Sequence, residues 1–174
     1  FIAHVASKGK PMIVSTGMSS LGEVELAVRT IQDSGNAPIA LLQCVSNYPA
    51  EPIDVNLAAM KTMSDAFGVP VGYSDHTLGI EVALAAAALG ASIIEKHLTF
   101  DKNAIGPDHR ASIEPTQFKR MVEGIRVIEA AIGNGRKIPA VSEANTAAVA
   151  RKSLVAAQNI PSGTLLTPSL VAIK

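Results

Sequence analysis

The sequence predicts an α/β fold built on a parallel sheet. Short apolar runs alternate four times with amphipathic stretches of helical period, and hydrogen-bonding side chains directly follow every apolar run. This alternation is typical of βα units, in which a helix connects each strand to the next parallel one. Four such units occupy about 130 residues, half of the roughly 250 that a closed eight-stranded barrel takes. The periodicity fits half a barrel and a four-stranded open sheet equally well.

The strands and the first two helices can be located from the apolar runs and the capping residues. The predicted strands are residues 12–14, 39–42, 69–73 and 92–94. Ser20 and Glu23 form a capping box that begins the first helix, and Gly35 ends it. Asp54 is expected to cap the second helix, which ends at Gly68. Each helix therefore follows a strand, as βα units require.

The remaining elements differ in their apolar faces. Residues 80–89 are apolar nearly all round, so this helix should pack on both of its sides. Pro115 suits the first turn of a last helix, whose apolar residues follow the i, i+3, i+4, i+7 pattern up to Gly133. The pattern is then lost, which predicts a linker over 134–149 and the start of a second module over 150–174. Its short strands are predicted at 152–156, 165–166 and 170–173.

Composition excludes several classes of protein. Fifteen basic residues balance fifteen acidic ones, and there is no Trp, so the chain lacks the charge and the stacking surface of a nucleic-acid-binding protein. No apolar run reaches the roughly 18 residues of a membrane span. A single Cys rules out an internal disulfide, which favours a reducing, cytoplasmic location. The chain begins with Phe in mid-pattern, so we expect a piece of a longer protein.

Polar side chains collect at the carboxyl end of each predicted strand. They are Ser15 and Thr16, residues 46–48, residues 74–76 and residues 95–97. In barrels and open parallel sheets alike, ligand and catalytic groups converge on this edge. Cys44 lies inside an apolar run instead, which indicates a core residue rather than a nucleophile.

Two of these polar groups end in a histidine on neighbouring strands. Residues two apart share a face of a strand, so Ser74 should point with His76, and Glu95 with His97. Two imidazoles with a carboxylate nearby could hold Mn, Fe or Zn and leave open coordination positions, which suits a Lewis acid. The alternative is that each imidazole only makes a hydrogen bond at its strand end.

Lys96 supports a competing hypothesis from another class of enzyme. A lysine at a strand end is what a Schiff-base pyruvate lyase or aldolase needs. An ion pair with Asp75 or Asp101 is the alternative, and it would leave the amine without a catalytic role.

Donors near two helix N-termini suggest a phosphate site. Ser15, Ser46 and Asn47 supply hydroxyl, amide and backbone groups there, although ordinary capping by Ser explains the pattern equally well. The segment 106–109 predicts a tight loop that presents Asp108 to a polar ligand, or simply a turn.

With these residues in place, the chain resembles the sialic acid synthase family, enzymes that condense phosphoenolpyruvate with an amino sugar. The motifs that carry the resemblance are KPMIVSTGMSS (10–20), LLQCVSNYPA (41–50), VGYSDHTLG (71–79), ASIIEKHLTF (91–100) and GPDHRASIEP (106–115). The resemblance implies that residues 1–133 are the second half of a TIM (β/α)8 barrel, with an open sheet as the alternative. It also implies that residues 150–174 begin the family's small antifreeze-like (SAF) domain.

The resemblance further implies roles for the residues at the strand ends. His76 and His97 match the family's metal ligands, typically for Mn²⁺, with Mg²⁺ or Co²⁺ as alternatives. Ser15 and Ser74 match serines that contact the phosphate of phosphoenolpyruvate. Glu95 is interpreted as a group that handles a proton near the metal, or as the partner of the lysine that follows it.

Three further positions match residues near the substrates. Tyr48 and Asp108 match residues that lie by the sugar. A phosphate ligand of some family members falls at Ser46, with Asn47 beside it, so which of the two contacts phosphate stays open.

The implied reaction forms N-acetylneuraminate from N-acetylmannosamine. The metal polarises the aldehyde oxygen of the open-chain sugar, C3 of phosphoenolpyruvate attacks, water adds at C2, and phosphate leaves by C–O cleavage. Legionaminate and pseudaminate synthases are the close alternatives. The family is expected to be homodimeric and uses residues from the first half of the barrel, so we expect this chain alone to be inactive. A non-catalytic half-barrel whose edges need a partner chain is the third possibility.

Overall fold

The computed structural model describes residues 1–174, which fall into two compact units, 1–133 and 134–174. The N-terminal unit alternates helices and strands along the chain. Its elements are α1 (Ile2–Ala6), β1 (Met12–Ser15), α2 (Leu21–Asp33), β2 (Ile39–Cys44), α3 (Ala59–Phe67), β3 (Val71–Asp75), α4 (Glu81–Ala88), β4 (Ile94–Lys96) and α5 (Pro115–Ile132). The predicted α/β class is confirmed.

The four strands of this unit form one parallel sheet in the order β1-β2-β3-β4. Each strand therefore lies beside the strand that follows it in sequence. A doubly wound sheet reverses its order at a switch point and carries helices on both faces, whereas a barrel keeps sequential order with its helices outside. The observed order matches half a barrel and not the open, doubly wound alternative.

The main core lies on the face of the sheet that the helices cover. Its buried side chains are Val24, Val28, Leu41, Val55, Met60, Met63, Val71, Tyr73 and Ala86. Helix α4 packs on both sides, as its apolar composition predicts, because Ala86 belongs to this core and Ala83 packs with Ile113 and Met121 in a second one. The opposite face of the sheet is the one that would line the interior of a closed barrel.

Three strands extend two residues further toward their carboxyl ends than the apolar runs predict. The additional residues include Ser74 and Asp75 on β3, which pair with Glu95 and Lys96 on β4. Their side chains also bond one another across the two strands. Cross-strand pairing thus keeps polar residues in the ladder where hydrophobicity alone predicts its end.

Helix α3 begins later than predicted, so the expected cap at Asp54 is wrong. Asp54 ends a 3-10 turn that starts at Pro52, and α3 starts only at Ala59. Asn56, between them, has a φ of 49°. This left-handed conformation interrupts a right-handed helix, so the helix can only begin after it.

The other predicted helix signals are present. The Glu23 carboxylate accepts hydrogen bonds from the Ser20 N–H and Oγ–H, each at 2.7 Å, in front of α2, and these bonds lower the pKa of Glu23. Gly68 ends α3 with a φ of 62°. Pro115 begins α5 and Gly133 follows its last residue.

The C-terminal unit contains one helix and a two-stranded antiparallel sheet. Their bounds are α6 (Ala144–Ala150), β5 (Leu154–Ala156) and β6 (Val171–Ile173). The predicted strand at 165–166 is not formed. The segment predicted as a linker, 134–149, contains most of α6, which follows a turn in which the Glu143 carboxylate accepts a hydrogen bond from the Ala140 N–H. No helix of the chain has both the length and the apolar character that crossing a bilayer needs.

Candidate active site

The candidate site lies at the carboxyl edge of the sheet, where β3 and β4 end. Ser74 lies opposite Glu95 in the ladder, and its hydroxyl donates a hydrogen bond of 2.6 Å to Glu95 Oε1. His76 and His97 each lie one residue beyond the end of their strand. Their rings meet edge to face, with centroids 5.3 Å apart and an angle of 88° between the ring planes. The structure therefore brings together the four side chains that strand alternation places on one face.

The His76 ring is oriented by the loop that follows β2. Its Nδ1 lies 2.8 Å from the carbonyl oxygen of Val45. A carbonyl can only accept, so Nδ1 carries the proton of a neutral ring, and the lone pair of Nε2 is free to bind an ion. A hydrogen bond of this kind is the usual device that fixes the tautomer of a histidine ligand.

Tyr48 packs against both imidazoles. Its ring centroid lies 4.2 Å from that of His97 and 5.1 Å from that of His76. His97 Nδ1 also lies 3.9 Å from Asp108 Oδ2, which is too far for a hydrogen bond. Tyr48 and Asp108, the two residues that the resemblance places by the sugar, thus both lie beside the exposed imidazole of His97.

The distance between the two imidazole rings allows a shared divalent cation. Ring nitrogens bind such ions at about 2.0 to 2.2 Å, which places the centroids of two rings on one ion about 5 Å apart. The observed separation of 5.3 Å agrees with this geometry. No third His, Cys, Asp or Glu of this chain completes a group around the same point. His76 and His97 would therefore supply two ligands and leave positions for water or substrate oxygens.

The candidate phosphate residues lie at the same edge but are less tightly held. Ser15 is the last residue of β1 and is exposed. The Ser46 hydroxyl lies directly against Gly17, where a Cβ would collide with it, so the loops after β1 and β2 touch at this point. Asn47 is exposed. A glycine at position 17 is thus what allows Ser46 to approach the loop after Ser15.

No sequence pattern points to Ser112, a buried residue that holds Tyr48 in place. The Ser112 hydroxyl donates to the carbonyl oxygen of Asp108 at 2.8 Å, so the Tyr48 hydroxyl, 2.9 Å away, donates to Ser112 Oγ. The ends of the loop between His97 and Ile113 are joined because the Ile113 N–H donates a hydrogen bond to the carbonyl oxygen of His97. Sequence spacing could not show this contact because it depends on the path of the whole loop.

Both tyrosines of the chain are expected to ionise at a higher pH than free tyrosine. Burial raises the pKa of Tyr48, with a further rise from the charge of Asp108, and burial also raises the pKa of Tyr73. A raised folded-state pKa stabilises the fold below the ordinary value of about 10, and this stabilisation is lost as pH rises through the folded-state pKa. The absorbance of phenolate should therefore stay low at pH values just above the ordinary tyrosine pKa of about 10. Tyr48→Phe isolates the signal of Tyr73, and full ionisation at the ordinary pKa in the folded chain would contradict the structure.

Lys96 does not project into the site. Its Nζ lies 2.7 Å from Asp75 Oδ2, and both side chains are almost fully inaccessible, at 1% and 0% exposure. An amine held by a carboxylate inside the core cannot reach a carbonyl substrate, so the structure does not support the Schiff-base hypothesis. Glu95, in turn, bonds Ser74 rather than Lys96. Cys44 is half-buried at the end of β2.

Comparisons with known proteins identify the family of the chain. The chain belongs to the NeuB family, whose model matches residues 1–137. An uncharacterized protein of Methanocaldococcus jannaschii is 49% identical over 173 residues, which cover 99% of this chain and 51% of that protein. The N,N'-diacetyllegionaminic acid synthase of Campylobacter jejuni is 45% identical over 176 residues, which cover 100% of this chain and 53% of the synthase. The resemblance inferred from the motifs is confirmed.

A solved structure agrees with the fold. The crystal structure of N-acetylneuraminic acid (sialic acid) synthetase from Leptospira borgpetersenii matches with a TM-score of 0.76 at 38% identity, covering 85% of this chain and 52% of that one. The four-stranded sheet is thus half of a barrel of this kind. The chain spans about half the length of the curated relatives that it matches.

Proposed function

We propose that the chain supplies the metal-binding half of an active site that condenses phosphoenolpyruvate with an N-acetylated amino sugar and releases phosphate. The observation that carries this proposal is the pair of imidazoles, His76 and His97, 5.3 Å apart at the edge where the Ser74–Glu95 pair also lies. Membership of the NeuB family supplies the class of reaction. The product is N-acetylneuraminate or a related nonulosonic acid.

His76 Nε2 and a ring nitrogen of His97 would hold the divalent cation, with Mn²⁺ as the best match and Mg²⁺ or Co²⁺ as alternatives. When bound, the ion polarises the aldehyde oxygen of the open-chain sugar. The protein's part is to fix both imidazoles. Val45 accepts the Nδ1 proton of His76, and Tyr48 packs against both rings.

Ser74 and Glu95 are assigned to the phosphoenolpyruvate end of the site. Ser74 is 2% exposed, and its hydroxyl donates its proton to Glu95 Oε1. When the hydroxyl rotates away from Glu95, it can donate that proton to a phosphate oxygen instead. Glu95 is exposed on the edge and can take a proton from the water that adds at C2, before the C2–O bond to phosphate breaks. Ser15, with Ser46 or Asn47, offers the remaining donors to the phosphate.

Tyr48 and Asp108 are assigned to the sugar. The proton of the Tyr48 hydroxyl is used by Ser112, so this oxygen can only accept a hydrogen bond from substrate. The Asp108 carboxylate also only accepts, and it is exposed beside His97. Hydroxyl and N–H groups of an acetylated amino sugar are the donors that these two acceptors can bind.

Residues 150–174 are proposed to begin an antifreeze-like domain, and the whole enzyme to be a cytoplasmic homodimer.

A segment exchange tests the proposed reaction. We expect the 174-residue chain to be inactive alone, and active when it replaces the matching segment of the Campylobacter jejuni synthase. The hybrid is assayed with phosphoenolpyruvate, Mn²⁺ and either N-acetylmannosamine or a di-N-acetylated amino sugar, and both phosphate and the nonulosonic acid are measured. A heavy isotope in the bridging oxygen of phosphoenolpyruvate should appear in the released phosphate, because the C–O bond breaks.

Two variants of the hybrid make the result specific. His97→Ala should abolish product formation, whereas His4→Ala, at an exposed position of helix α1, should leave it unchanged. A folded hybrid that forms no product from either sugar, or product formation by the chain alone, contradicts the proposal.

A further inference from the structure

A buried polar network lies on the opposite face of β3 and β4 from the histidines. The Lys96 ammonium donates hydrogen bonds to Asp75 Oδ2 and to the carbonyl oxygen of Thr77, each at 2.7 Å. Asp75 Oδ1 accepts two more, from the Thr77 N–H at 2.8 Å and from its hydroxyl at 2.7 Å. Asp75 and Thr77 are each 1% exposed. The proposed reaction uses none of these three residues.

The network lies where the ladder between the two strands stops. The last paired residues are Asp75 and Lys96, and the two histidines follow them directly in sequence. Thr77 is beyond the end of β3, so the bond from Lys96 to its carbonyl oxygen joins the strands past their last ladder pair. The backbone on both sides of His76 is thereby tied to the residue that precedes His97.

Stability alone gives no reason to keep this charge pair. Burying two charges removes their hydration, and replacement of a buried ion pair by apolar side chains of similar volume is often neutral or stabilising. Directional bonds, in contrast, fix the relative position of two backbone segments in a way that apolar contacts do not. Metal ligands need such support, since mutation of the groups that orient them commonly lowers the affinity for the metal by about 10- to 100-fold.

We propose that the Asp75–Lys96–Thr77 network positions the two imidazoles so that both bind one divalent cation. The three residues are positioning residues that touch neither the cation nor substrate. The inference rests on the proposed function for the cation, but the alignment of the two rings can also be measured without it.

The test compares the wild-type chain with the double variant Asp75→Leu/Lys96→Met, which removes both charges together. We expect this variant to unfold at a urea concentration close to the wild-type midpoint, and its Kd for Mn²⁺, from the electron paramagnetic resonance of free Mn²⁺, to rise at least about 10-fold. The nuclear Overhauser effect between ring protons of His76 and His97 in the metal-free protein should weaken. The conservative variant Lys96→Arg should keep an affinity near that of wild type.

A matched control removes an ion pair of the same kind from the surface. Lys61 and Asp65 are paired at 2.6 Å on α3 with side chains 80% and 65% exposed. The double variant Asp65→Leu/Lys61→Met should leave both the Mn²⁺ affinity and the inter-ring effect unchanged. A loss of affinity there equal to that of the buried double variant would contradict a specific role for the network.

Other outcomes are equally decisive. A folded buried double variant with wild-type Mn²⁺ affinity and an unchanged inter-ring effect overturns the inference. If wild-type protein binds no Mn²⁺, the proposed function fails, and the inter-ring effect alone decides the positioning role. If the double variant does not fold, Thr77→Val, which removes one hydroxyl and keeps the shape, is the test. It should raise the Kd several-fold, and an unchanged Kd overturns the inference.

Discussion

Replacing His97 with alanine is expected to weaken Mn²⁺ binding by at least about 100-fold. Mutation of the groups that merely orient a metal ligand already lowers metal affinity by about 10- to 100-fold, and this variant removes a ligand itself. The chain offers two imidazoles and no third grouped ligand, so each variant leaves a single protein nitrogen. His76→Ala should have an effect of the same size. The Kd is measured by titrating the protein into Mn²⁺ and following the resonance of the free ion.

The control uses another histidine of the same chain. His4 lies on α1 and is exposed, so His4→Ala should bind Mn²⁺ as wild type does. Equal losses in the His4 and His97 variants would show that binding is unspecific, and undiminished binding after removal of both His76 and His97 would remove the basis of the metal site.

Leu41→Ala is expected to lower the free energy of unfolding by about 2 to 5 kcal/mol. Leu41 is fully buried and stands between Val14 on β1 and Val71 on β3 in the sheet. Removing its side chain loses apolar burial and leaves a cavity that two flanking strands cannot close. Urea unfolding followed by circular dichroism gives the change, with the slope of the transition checked for constancy.

The matched control is a leucine at the surface. Leu26 on α2 is 67% exposed, so Leu26→Ala should change the free energy of unfolding by no more than about 0.5 kcal/mol. Similar losses of unfolding free energy in the two variants would mean that Leu41 on β2 is not part of the core.

Strand alternation predicts much of the candidate site from sequence. A period of two residues places Ser74 with His76 and Glu95 with His97, and parallel strands in sequential order then bring the two pairs together. The same period turns Lys96 toward the helices, where it meets Asp75. These contacts are predictable because they depend only on register and on the direction of side chains along a strand.

Other parts of the site depend on loop paths that no local pattern specifies. Ser112 reaches Tyr48 across 64 positions in sequence, and the carbonyl oxygen of Val45 reaches His76 across 31. The late start of α3 follows from the left-handed backbone of Asn56, which a capping residue at position 54 does not reveal. Backbone carbonyls carry no sequence signature at all, so the orientation of the His76 ring required the structure.

The most direct test of the shared cation is to count the nitrogens that bind it. Pulsed electron paramagnetic resonance of the Mn²⁺-loaded protein detects coupling from coordinated imidazole nitrogen. We predict two equivalent couplings in wild-type protein and one in either His76→Ala or His97→Ala, at Mn²⁺ concentrations that saturate each protein. Wild-type spectra with no nitrogen coupling, or with a single coupling that survives removal of either ring, would contradict the account.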